Sequence, residues 1–123
     1  MKALLISLCL TGATCVLLPL TGCQTDTPGA TNTLGYYSTM VNDTPDHVTI
    51  AAKKAATDLK LIDIVGDYTK IDGHVTCKNS QGDAISIEVA QAGENVSKVT
   101  VHVGATGDDA VSKQLVDRIK AHL

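Results

Sequence analysis

HVTCKNSQGDAISIEVAQAGENVSKVTVHV, residues 74–103, decides the fold. Val75 and Cys77 alternate with His74, Thr76 and Lys78. Ile85, Ile87 and Val89 alternate with Ser86, Glu88 and Ala90, and Val99, Val101 and Val103 with Lys98, Thr100 and His102. Successive side chains of a strand point to opposite faces, so odd positions are expected to face a core and even positions to face away from it. Ser80-Gln81-Gly82 fits a three-residue hairpin loop with Gly82 left-handed, and Gly93-Glu94-Asn95 fits another with Asn95 in that conformation. Positions 77, 85 and 103 then share one row and 75, 87 and 101 the next. Two-residue loops would set Lys78 against Ile85 and mix the phases.

Outward from this meander the pattern changes period. Leu34–Val41 (LGYYSTMV) reads as a first strand. Thr44 as N-cap, Pro45 at the first helical position and Asp46 in the first turn then open a helix to about Lys60, with Val48, Ala52, Ala55 and Leu59 on one face. Leu61–Thr69 reads as a second strand interrupted by Gly66, and Asp72-Gly73 as a turn. A final helix is expected from about Asp108 to His122, with Val111, Leu115 and Ile119 as its stripe. The expected order is β-α-β-β-β-β-α: an α+β two-layer sandwich, its antiparallel sheet carrying two helices on one face.

The 123 residues have room for one domain and include three Tyr but no Phe or Trp, so the core must be built from Val, Ile, Leu and Ala. The formal net charge is −3, with no block of Lys or Arg denser than Lys53-Lys54. That argues against a nucleic-acid partner and against a polybasic membrane patch.

Residues 1–22 read as an export signal: Lys2 is the positive end, and Ala3–Leu20 is uncharged and mostly apolar. Gly12 and Pro19 interrupt this stretch, which is short for a permanent span. Leu20-Thr21-Gly22-Cys23 resembles the bacterial lipobox. Small residues at Thr21 and Gly22 let the backbone enter a narrow peptidase site, Leu20 supplies the aliphatic position, and only a thiol can form the thioether to diacylglycerol. Cys23 is the expected lipid attachment site, and its acyl chains the expected bond to the membrane. Gln24 in place of Asp points to the periplasmic face of the outer membrane in a diderm host. Residues 23–33 then form the lipidated cysteine and a flexible tether, and 34–123 the globular domain. Cys9 and Cys15 leave with the signal, so Cys77 is the single thiol left, and its phase marks it as a small core residue.

From about Gly35 to Leu123 the chain resembles an uncharacterised family of small bacterial lipoproteins, a domain-of-unknown-function family. The resemblance rests on Val101-His102-Val103-Gly104-Ala105-Thr106-Gly107-Asp108, on Ser112 with the Leu115/Ile119 helix, on the Lys78–Asp83 hairpin and on the upstream lipobox. Thr106 departs from the bulky apolar residue usual at its position. The resemblance implies this fold and this address, and brings no catalytic residues.

Candidate chemistry is sparse. Gly104–Gly107 before a helix lacks the Lys-Ser/Thr of a nucleotide loop and is followed by Asp108-Asp109, so it reads as a strand-to-helix connector. His74 is expected beside Glu88 and Thr100, and His102 beside Ser86 and Thr76, two strands and roughly 10 Å apart. That is too far for one zinc ion. None of Ser38, Ser80, Ser86, Ser97 and Ser112 stands in a nucleophile elbow. No cofactor, no metal and no enzymatic activity are expected. The function expected is a lipid-anchored, non-catalytic interaction or assembly module of the cell envelope with a protein partner there. The alternative is a periplasmic carrier of a small apolar ligand held between the sheet and the C-terminal helix.

Overall fold

A computed structural model describes residues 31–123. The expected signal at 1–22 with Leu20, Thr21 and Gly22, the expected acyl acceptor Cys23, and the stretch up to residue 30 expected as a tether lie outside the described residues.

The elements are β1 (Thr31–Thr33), β2 (Tyr36–Val41), α1 (Pro45–Asp58), β3 (Ile62–Tyr68), β4 (Asp72–Lys78), β5 (Ala84–Gly93), β6 (Val96–Val103) and α2 (Asp109–Ala121). All strand pairs are antiparallel, in the order β1-β2-β6-β5-β4-β3. β3 to β6 form a meander, and α1 carries the chain from β2 near one edge to β3 at the other. The result is the α+β sandwich that the alternation predicts, with one short extra strand. Thr31–Thr33, expected in the tether, pair with Tyr36–Ser38, and Leu34-Gly35, expected to open the first strand, form the two-residue turn between them. Both turn residues have positive φ, 52° and 82°, as a tight hairpin requires.

The register of the meander follows the phase of its side chains. Cys77 faces Ile85 and Ile85 faces Val103; Val75 faces Ile87 and Ile87 faces Val101. The first loop holds Ser80-Gln81-Gly82, closed by Asn79 N–H donating to the Asp83 carbonyl, with Gly82 at φ +92°. The second differs from the expected three-residue loop. Gly93 pairs with Val96, leaving two residues between them, and an irregularity after Gln91 restores the offset. Asn95 has φ +57° as expected.

Asp72-Gly73 belongs to β4 rather than to a turn. Thr69–Ile71 make the reversal, with Thr69 N–H donating to the Asp72 carbonyl and its hydroxyl accepting from the Ile71 and Asp72 amides. Gly73 serves a different need: a Cβ there would lie 1.9 Å from Oγ1 of Thr49 on α1. The helix therefore rests directly on the strand backbone.

The core is aliphatic. Val48, Val75, Ile87, Val99, Val101 and Leu115 are fully buried, and Ala52, Ala55 and Ala56 let α1 approach the sheet. Each fully buried Val, Leu or Ile contributes about 1.5–3 kcal/mol, enough here for a small core with a single buried aromatic ring, Tyr37. α1 packs mainly on β3 and β4, α2 on β6 and β2, and the helices touch one another. Thr44 is the N-cap of α1 but makes no side-chain capping bond; its hydroxyl instead helps hold the Asp46 carboxyl below the ordinary carboxylate range. Asp108 does cap α2, accepting from Val111 N–H at 3.1 Å. No helix among the described residues is long and apolar enough to cross a membrane.

Candidate functional site: the helix-free face of the sheet

Both helices cover the odd-numbered face of the meander, so its even-numbered face carries whatever side chains are free to meet another molecule. Three rows cross it. Tyr36, His102, Ser86, Thr76 and Val65 are successive partners, as are Ser38, Thr100, Glu88, His74 and Asp67; Met40, Lys98, Ala90 and Asp72 form the third. His74 beside Glu88 and Thr76 beside Ser86 and His102 stand in the expected register. Tyr36, Ser38 and Met40 from β2, and Val65 and Asp67 from β3, complete the face. The places of Tyr36, Ser38 and Met40 follow from pairing with β6, and those of Val65 and Asp67 from a register shift between Ile62 and Val65 that puts odd positions of β3 on this face. The alternation of Tyr36, Ser38 and Met40 with Tyr37, Thr39 and Val41 was the available signal.

Several of these side chains are already tied to one another. Ser38 and Thr100 hydroxyls lie 3.0 Å apart. The Tyr36 and His102 rings stack, centroids 4.3 Å apart and planes 21° from parallel. His102 Nδ1 lies 2.9 Å from the Gly35 carbonyl. A carbonyl can only accept, so Nδ1 carries the proton and donates. Tyr36, Met40 and Val65 remain substantially exposed among these polar groups. Two shallow clefts indent the face. One, of about 390 Å³, is bordered by Asp67, Asp72, His74 and Glu88; the other, of about 220 Å³, by Thr76, Lys78, Ser86 and His102.

Cys77 faces the other way. It is free, 3 % exposed and packed with Ile85 in the core, and burial pushes its thiol up to about 11. A nucleophilic cysteine requires the opposite shift. His47 bonds Asp43 and His122 bonds Asp58, each at the helix layer and away from the sheet face. Among the described residues no group of three or more His, Cys, Asp or Glu side chains converges as a metal site would require. Gly104 ends β6, its N–H donating to the Ala84 carbonyl, and Asp108 occupies the helix N-terminus, so the 104–107 connector presents no cradle for a phosphate. Between the sheet and α2, Val101 and Leu115 have no accessible surface and Ile119 only 1 %.

Among curated proteins nothing matches the chain. The family described as Protein of unknown function (DUF3568) matches residues 1–122, essentially the whole chain. The protein therefore belongs to that family.

Proposed function

We propose that this protein is a bacterial lipoprotein, anchored through acyl chains on Cys23, whose domain is a non-catalytic docking module of the cell envelope. The helix-free face of the sheet is its contact surface. The observation that carries the reading is that face itself: six strands wide, covered by no helix among the described residues, with Tyr36, Met40 and Val65 exposed among polar side chains. An antiparallel sheet can leave one face in water, but exposed apolar and aromatic residues interspersed with hydroxyls suit a protein interface better than a purely solvated surface. The Leu20–Cys23 motif supplies the address. Tethering near a membrane raises the effective concentration of the module, so that modest contacts suffice. Gln24 in place of Asp favours the periplasmic face of the outer membrane in a diderm host. The burial of Val101, Leu115 and Ile119 lends the carrier alternative no support.

The test uses a photo-crosslinking residue at Thr100, at the centre of the face, and another at Gln114 on the exposed side of α2, in intact cells. A discrete adduct from position 100 and none from 114 is expected; adducts from neither, or from both alike, overturn the docking surface. Mass spectrometry of the mature chain tests the anchor separately, and an unmodified residue 23 refutes it.

A further inference from the structure

We propose that β1 is a releasable strap: it peels from the β2 edge as far as Leu34, hinges at Gly35, and so lengthens the chain between Cys23 and the folded domain. β1 is a three-residue strand at the sheet edge. Thr31 and Asn32 are exposed, and Asn32 Nδ2–H donates to the Asp109 carboxylate on the surface of α2. The turn that folds it back is strained, because Leu34 sits at φ +52°. A left-handed conformation disfavours any residue with a Cβ, and Leu34, 89 % exposed, recovers nothing by packing.

The next residue is fixed by contrast. Gly35 lies against the backbone of Thr106 and Gly107, and its carbonyl accepts from His102, whose ring carries Tyr36. A weak flap thus adjoins a firm clasp, which sets the hinge between them. With β1 docked, residues 24–30 separate Cys23 from the sheet; with it released, 24–34 do. The fully extended reach rises from about 25 to about 39 Å. The gain in reach rests on the lipid anchor proposed above; the release itself does not.

Hydrogen exchange on the full chain in detergent micelles tests the release. Protection of the Thr31–Thr33 amides is expected to be far below that of Val99 and Val101 and insensitive to low denaturant, as for a local opening. Leu34→Asn, which creates the favoured Asn-Gly turn, is expected to raise that protection about five-fold, and Asn32→Ala to lower it about three-fold. Exchange of β1 together with Val99 and Val101, or indifference to both substitutions, overturns the strap whatever residue 23 carries.

Discussion

Gly35 and Gly107 meet backbone to backbone: a Cβ built on Gly107 would lie 2.5 Å from the Gly35 Cα. The reverse is equally blocked, since a Cβ on Gly35 would lie 2.6 Å from the Thr106 carbonyl oxygen. Both glycines also have positive φ, 82° and 84°. This contact seats the turn before β2 on the connector that feeds α2, and so holds the two ends of the fold together. Gly107→Ala and Gly35→Ala are each expected to destabilise the domain by about 2–4 kcal/mol, from left-handed strain plus a clash with backbone that cannot rotate away. Denaturant midpoints at unchanged slope check this. A loss below half a kcal/mol in both would show that the loops yield.

The meander was legible in the sequence because burial there is periodic. Val75, Ile87 and Val101 occupy one row in the structure because only that register keeps every apolar side chain on one face. The Gly35–Gly107 contact was not legible: two glycines in separate loops carry no period, and only the folded backbone brings them together. β1 is not legible for a related reason. Thr31-Asn32-Thr33 has no apolar alternation, and its pairing is imposed by the Leu34-Gly35 turn. The even-numbered face could be assigned residue by residue within the meander. Its polar chemistry, however, names no reaction, so the sequence located the surface without identifying what meets it.

Gly73 and Thr49 make a second close approach, between β4 and α1. Thr49 is fully buried, its hydroxyl donates to the Pro45 carbonyl at 2.7 Å, and it fills the space that a Cβ on residue 73 would need. Gly73→Ala is expected to cost about 2–4 kcal/mol, as overpacking of a rigid contact does. Thr49→Ala removes the obstructing hydroxyl and methyl, so the double variant should lose less than the sum of the two single ones. A double-mutant cycle measures this, with a coupling of about 1 kcal/mol or more expected. Strict additivity would mean that the strand moves instead.

Cys77 links the core to pH. Its thiol is raised by burial from 9.0 to about 11. Between those values the unfolded chain releases the proton while the native state keeps it, so stability falls with rising pH. The contribution is flat below pH 9 and declines from there toward 11. Other groups titrate in this range, so the measurement is the difference between wild type and Cys77→Ala in urea unfolding from pH 7 to 10.5. The gap between the two curves should be constant up to about pH 9 and narrow above it. A thiol reagent at neutral pH should label Cys77 only after denaturation; labelling of the native protein would place the side chain outside the core.

Ser112 offers the opposite case, a substitution expected to help. It lies in α2 with 1 % exposure, and its hydroxyl is buried without a hydrogen-bond partner. A serine in a helix often returns its hydroxyl to the carbonyl four residues back, here Asp108, but that carbonyl already receives the Ser112 amide at 2.9 Å and the hydroxyl makes no bond to it. Burying an unpaired hydroxyl costs about 1–3 kcal/mol. Alanine removes that group, leaves almost no cavity and has the higher helix propensity. Ser112→Ala is therefore expected to stabilise the domain by about 1 kcal/mol and raise the melting temperature by several degrees. A loss of stability would mean that the hydroxyl has a partner in solution, and a buried water bridging it to the backbone would be the first to look for.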